Sequence, residues 1–343
     1  MSLARVPSLD PEWFSRDEYG EQIRKWQAWL LTSAQEYIAC GQRVSDWLVA
    51  LTSARTELIQ LVWQQQIPQN LRDGMEYIVL GSGGRGEDFL HSDLDHAVVL
   101  APSLAPEDVG PFLSNFIGRM QNFGYPLCQG FVMSTNPRWI GTTLEWQTRI
   151  QGYFDFPDWE NARYLFMTLD GVPLSASSRT WTEIVDPVWQ GVRESPFICW
   201  EMAHLGIHRT VALDVFGHLR KVSGSRGEAV NIKDGYLNPM VHSIRLLAIV
   251  NGCSHTSTLD RMKCLAEQGV FPESWLARIE SALEFGWAIR LAAQVADLRS
   301  ERPVSDCIHL GELDSKQKEQ LVHHLETAKQ LERWVHRRFT KPR

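Results

Sequence analysis

At 343 residues, with 44% apolar and 22% charged residues and a net charge of −7, the chain has an ordinary globular composition and is long enough for two or three compact units. Its apolar runs fall well short of the roughly 18 residues that a membrane span needs, and its first 20 residues lack the apolar core of a secretory leader, so a cytoplasmic protein with no membrane association is expected. No long basic block is present, which argues against strong nucleic-acid binding, since that depends on neutralising phosphates. The six cysteines are scattered without a C-x-x-C pair. Neither a zinc site nor a disulfide framework is therefore expected, and reduced thiols are the default.

Residues 1–70 read as helical. Trp26, Trp29, Leu30 and Ala34 recur at helical spacing, as do Leu48, Leu51, Ala54, Leu58, Leu61 and Val62. Pro68 ends that run, and Gln69 to Gly74 reads as a linker. A strand signal follows at Tyr77-Ile78-Val79-Leu80 and stops at a glycine-rich turn. A second strand is predicted over His96–Leu100, closed by Pro102. Short apolar stretches at Gly130 to Met133 and Tyr164 to Leu169 suggest further mixed strands and helices, so residues 71–185 form a central α/β region. Beyond about residue 186 the pattern is helical again. Ile279, Leu283, Trp287, Leu291 and Val295 recur every four residues, and Leu321, Leu325, Ala328, Leu331 and Val335 stripe a final helix. Gly252, Gly269 and Pro272 punctuate the helices between.

The chemistry concentrates in GSGGRGEDFLHSDLDHAVVL, residues 81–100. Gly81, Gly83 and Gly86 fit G-x-G-x-x-G after a strand, a weak dinucleotide signal. The spacing argues against it, because a parallel crossover needs a dozen or more residues and only nine separate Gly86 from His96. A second reading uses every unusual residue. Asp93 and Asp95 stand two apart at a strand start, so both face one side with Cα atoms roughly 6.6 Å apart. Two such carboxylates can converge on one or two magnesium ions, which take oxygen ligands together with substrate phosphates. Gly81 and Ser82 then offer backbone N–H groups and a hydroxyl to a triphosphate, because glycine lets the backbone approach closely. Arg85 can fork onto phosphate oxygens, and Glu87 can orient Arg85 or the metal shell. Taken singly, an Asp-x-Asp or a glycine turn is often only a solvated turn; it is the combination between two strands that carries the reading.

That stretch resembles the signature of polymerase-β-type nucleotidyltransferases, G-S-x-x-R-x-E followed by S-D-x-D. It is most similar to a nucleotidyltransferase family related to PII uridylyltransferase, whose members often adjoin CBS and cyclic-nucleotide-binding domains. Gly124-Tyr125-Pro126, Cys128, Gly130, Met133 to Pro137, Trp139 and Trp146 resemble that family's middle section. Asn231-Ile232-Lys233, Arg245, Leu246 to Ile249, Thr258 and Arg261 resemble its helical C-terminal domain. The resemblance implies an α+β fold: a polymerase-β-like mixed sheet flanked by helices over residues 71–185, N-terminal helices over 1–70 and a C-terminal helical bundle over 186–343.

It also implies transfer of a nucleoside monophosphate from a nucleoside triphosphate to a protein or small-molecule acceptor, with two magnesium ions held by Asp93 and Asp95 and with Lys233 at the nucleotide. The regulatory domains that often accompany the family are either absent here or supplied by another chain. The family's third carboxylate sits on a later strand in an Asp-x-Arg pattern. Here Thr168 stands in the aspartate's place and Asp170 in the arginine's, and both face one side if the stretch is a strand. Asp170 is thus a third metal ligand or a turn residue before Gly171. Without a third carboxylate the alternative is a weakly active or inactive nucleotide sensor. His204 and His208 share a helix face at i, i+4, a spacing that more often serves packing than metal.

Overall fold

The computed structural model describes residues 19–175, 178–204, 210–224 and 226–342. The first 18 residues, on which the reading of the N-terminus falls, and His208 lie outside them. The chain forms two compact units. The first contains helix α1 (Tyr19–Cys40) together with Asp46–Asp155 and Leu165–Val188. In chain order it carries helices α2 (Val44–Gln66) and α3 (Gln69–Arg72), strand β1 (Met75–Val79), the short helix α4 (Gly81–Arg85) and strand β2 (His96–Leu100). Helix α5 (Pro106–Asn122), strand β3 (Ile140–Thr142) and helix α6 (Thr143–Asp155) follow, then helix α7 (Trp159–Thr168), which belongs to this unit from Leu165 on, strand β4 (Val172–Pro173) and helix α8 (Arg179–Glu194), which belongs to it as far as Val188. The predicted linker over 69–74 contains the one-turn helix α3.

The four strands make a mixed sheet in the order β3-β2-β1-β4. β2 lies in the middle, antiparallel to β1 and parallel to β3. All five of its residues are buried, which explains why it reads as an unbroken apolar run rather than an alternating one. Pro173 lacks an N–H for a ladder and sits accordingly on the edge strand. Because β1 and β2 are antiparallel neighbours, the parallel crossover that a dinucleotide fold requires is absent here.

Helices α2 and α5 are pinned to the sheet by aromatic rings. Trp63 of α2 meets Tyr77 of β1 at 5.2 Å and Phe116 of α5 at 5.4 Å, and Phe116 meets Tyr77 edge-on at 5.5 Å. Tyr77 in turn stacks on His96 of β2 at 5.1 Å. Edge-to-face geometry adds roughly 0.5–1.5 kcal/mol per pair beyond the area buried.

The second unit, which includes Trp189 onward, holds helix α9 (Pro196–His204), strands β5 (Val222–Gly224) and β6 (Gly227–Asn231), and a π-helical turn over Lys233–Leu237. Helices α10 (Asn238–Val250), α11 (Thr258–Glu267) and α12 (Glu273–Arg299), strand β7 (Cys307–His309) and helix α13 (Ser315–Arg338) complete it. The predicted apolar stripes on α12 and α13 are buried throughout.

Two features depart from the sequence reading. β5, β6 and β7 form a small antiparallel sheet inside what reads as a helical bundle; strands of three to five residues leave too short a period to detect. Cys253, in the turn after α10, is bonded to Cys264 on α11, against the expectation of reduced thiols throughout. Among the described residues no helix is long and apolar enough to cross a membrane.

Phe116 is fully buried at the centre of the ring cluster, so Phe116→Ala should destabilise the first unit by about 3–5 kcal/mol. Chemical unfolding measures this, and a loss below about 1 kcal/mol would show that the cluster is not what joins α2, α5 and the sheet.

Candidate active site

Leu80 is extended, and the chain then reverses into α4 through Gly81, whose φ of +56° favours a residue without a Cβ. Space demands glycine there as well. A Cβ on Gly81 would lie 2.2 Å from Asp95 Oδ2, and one on Gly84 would lie 2.1 Å from the carbonyl oxygen of Asp170. The glycines therefore let α4 sit directly against Asp95 on one side and the approach to β4 on the other. Close packing at the end of the sheet accounts for their spacing.

Asp93 and Asp95 occupy the stretch leading into β2, one ladder position short of the strand itself: Leu80 N donates to Asp95 O at 2.9 Å, and the named strand begins at His96. Their carboxylates converge. One donor atom from each, together with Cys128 Sγ, lies within 4.8 Å of the others, a group able to hold a metal ion. Asp95 Oδ1 is buried and has no hydrogen-bond partner. Burial first, and the nearby Asp93 charge second, push the Asp95 carboxyl from its ordinary 3.8 up to about 7. A cation at this point satisfies the orphaned oxygen and removes the repulsion, so the residues present fit a divalent metal.

Around this pair runs a network of buried charges. Arg85 Nε donates to Glu87 Oε2 at 3.0 Å and its Nη1 to Asp170 Oδ2 at 2.7 Å. The guanidinium, expected to grip phosphate, is thus held between two carboxylates, with Glu87 orienting it. Ser82 Oγ donates to Asp88 Oδ1 at 2.7 Å, and Asp88 is paired with Arg55 of α2 at 2.6 Å. Arg55 also donates to Phe89 O at 2.8 Å and stacks over the Tyr125 ring at 4.5 Å. These bonds fix the loop between α4 and the aspartates.

His96 locks the opposite edge. Its Nδ1 is 2.8 Å from Leu94 O and therefore carries the proton, leaving Nε2 to accept from the Ser134 hydroxyl at 2.9 Å and Ser134 N at 3.2 Å. Burial lowers its pKa to about 4, so it stays neutral.

The apolar stretch Tyr164 to Leu169, whose end reads as a possible strand, is instead the end of α7, with Ala162, Leu165 and Phe166 buried on the helix and Leu169 buried just past it. Thr168 and Asp170 consequently do not share a strand face. Asp170 stands in the turn between α7 and β4, fully buried and bonded to Arg85. Lys233 belongs to the second unit, half-exposed, with Nζ 3.9 Å from Asp306 Oδ2; Asp306 is also bonded to Arg290 at 2.7 Å. His204 stacks on His336 at 4.9 Å and bonds to Trp200 O, a packing role.

Asp88, Arg55 and Cys128 are the contributors that spacing did not single out. One signal existed for Arg55, a charge set into the apolar stripe between Leu51 and Leu58. Nothing local ties Cys128 to residues more than thirty positions earlier.

A glycine turn packed against Asp95, with Asp93 converging on it just ahead of a mixed sheet, suits nucleotidyl transfer. The family model described as putative nucleotidyltransferase DUF294 matches residues 17–160, and that described as putative nucleotidyltransferase substrate binding domain matches residues 197–339. The chain belongs to this family. No curated protein matches it.

The raised Asp95 pKa has a thermodynamic consequence in the metal-free protein. The folded state favours the protonated acid, so that contribution is whole below pH 4 and is lost as pH rises through about 7. In chelator, Asp95→Asn should therefore melt higher than wild type by more than about 1 kcal/mol above pH 7, with the gap closing toward pH 4. Thermal melts across pH test this; a variant less stable at pH 8 would show that the carboxylate is not the strained group.

Proposed function

We propose that the first unit transfers a nucleoside monophosphate from a nucleoside triphosphate to a hydroxyl of a protein or small-molecule acceptor, releasing pyrophosphate. The observation that carries this reading is the convergence of Asp93 and Asp95, with Asp95 against Gly81 and its Oδ1 buried and unpartnered. Divalent cations, magnesium in the first instance, would lower the pKa of the acceptor hydroxyl and offset charge on the triphosphate. Asp93 and Asp95 hold them. Gly81 keeps the backbone close enough for phosphate oxygens to reach both the turn and the carboxylates. Ser82, which donates its hydroxyl proton to Asp88 in the free protein, would turn it to the phosphate tail when the nucleotide binds. Arg85 acts through Asp170 and Glu87, holding the turn rigid. Asp170 joins the cation site if that pair opens, and Lys233 is the proposed phosphate contact of the substrate-binding domain. Little covalent work falls to the protein, which positions groups and compensates charge.

A second reading, a nucleotide sensor with little turnover, is favoured by the burial of Asp170 against Arg85, which leaves two carboxylates at the cation site.

Pyrophosphate release from α-labelled triphosphates, with the label followed onto acceptors, separates the two. Wild type should turn over, and Asp93→Asn with Asp95→Asn should lower the rate at least about 10³-fold. Unchanged turnover in that double variant refutes the site. Saturable triphosphate binding by calorimetry with no turnover across many acceptors selects the sensor.

A further inference from the structure

The proposed transfer makes no use of Cys128, yet its sulfur lies in the one cation-capable group of three found among the described residues. Its place there is built. On one edge of the chain entering β2, Leu80 N donates to Asp95 O; on the other, His96 N donates to Val132 O at 3.1 Å. The segment carrying Cys128 therefore flanks the aspartates on the side away from Gly81. A tight turn, Phe131 N to Cys128 O at 3.0 Å, holds Phe131 at a φ of +53°, a costly conformation for a bulky residue. Asn136 Nδ2 clamps the carbonyl of Phe131 at 2.9 Å, and Ser134 is bonded to His96. Cys128 itself is buried.

Two further facts bear on its role. Asp95 Oδ1 is buried without a partner, and the Cys128 thiol lies within hydrogen-bonding reach of the Asp95 carboxyl. Asp170, the carboxylate expected to complete the ligand set, is fully buried in its ion pair with Arg85. The third donor at the mouth of the sheet is accordingly sulfur rather than oxygen. Sulfur changes the cation that the site favours, because thiolates select borderline metals such as zinc and cobalt while all-oxygen sets suit magnesium.

We propose that Cys128 ligates the cation together with Asp93 and Asp95, giving a mixed oxygen–sulfur site that binds Zn²⁺ or Co²⁺ in preference to Mg²⁺. Binding forms a metal–sulfur bond and releases the thiol proton to solvent, with no change of oxidation state. The proposal rests on the aspartate pair being a cation site.

Co²⁺ titration of the full chain, in a Cys40→Ser background to remove the exposed thiol, reads this directly. A thiolate-to-cobalt charge-transfer band should grow and saturate, and Cys128→Ser should abolish it. The same variant should weaken Zn²⁺ binding at least about tenfold while leaving Mg²⁺ binding unchanged. Cobalt bound without the band, or a band that persists in Cys128→Ser, overturns the proposal. Should the variant fail to fold, zinc-edge X-ray absorption on the unaltered protein decides: a sulfur neighbour at about 2.3 Å supports it and an all-oxygen or nitrogen shell ends it. Failure of the nucleotidyl-transfer reading looks different. A Cys128-dependent band without any turnover leaves this proposal standing, whereas magnesium-supported turnover with no band removes it and spares the transfer.

Discussion

Asp95 sits where an isolated chain would not choose to put a charge. Gly81 stands so close on one side that a single methyl group would strike the carboxylate, Cys128 lies on the other, and one oxygen is sealed from water without a donor. In the interior a group of this kind is expensive, and the expense appears as a carboxyl that titrates near neutrality. The neighbours relieve it only in part: Asp93 adds a like charge, while the Cys128 hydrogen bond and the Arg85 charge offset some of the burial. A divalent cation would supply what is missing. The glycines of the turn follow from the same constraint, because any side chain at Gly81 would push the carboxylate out of its position.

Such a site needs a rigid frame, and the frame is itself ionic. Arg85 draws Glu87 and Asp170 together, and Arg55 joins Asp88 and the Phe89 carbonyl from α2. Buried pairs of this sort contribute little net stability compared with apolar packing, but removing one partner strands the other and costs about 3–5 kcal/mol. Their value here is geometric. Asp170 and α4 lie beside β1, Asp88 ties the loop to α2, and His96 with Ser134 fixes the far edge of β2. The aspartates thus project from a loop clamped at three points, and no cation is required to gather them.

Much of this was legible in the residues. His96–Leu100 stood out because a strand buried on both faces must be continuously apolar, and Pro102 marked its end. The convergence of Asp93 and Asp95 followed from a spacing of two, although the named strand begins one residue beyond Asp95. The long helices α12 and α13 declared themselves through repeated apolar stripes. What stayed hidden depended on tertiary pairing. The run Tyr164 to Leu169 is apolar enough for either a strand or a buried helix, and only packing chose the helix. Arg85 carries a charge that suits phosphate, but the carboxylate that holds it is 85 residues away. The bond between Cys253 and Cys264 crosses a turn between two helices, a separation that no short cysteine motif signals.

The glycine pattern shows why spacing alone misleads. Gly81, Gly83 and Gly86 match a dinucleotide fingerprint, and each does a job glycine is suited to: Gly81 and Gly86 adopt positive φ, and a Cβ on Gly83 would lie 2.7 Å from Val79. In a dinucleotide fold the small residues admit a pyrophosphate at the start of a long helix following a parallel crossover. In this sheet the next strand returns antiparallel at once, and what the turn admits is the carboxylate of Asp95. The order of strands decides the meaning of the motif. With β2 beside β1, the residue opposite the turn is the one that enters β2, and that residue is an aspartate. On the proposed reading, a phosphate at this turn would need a cation between it and the aspartates, because α4 is too short to draw an anion against two carboxylates.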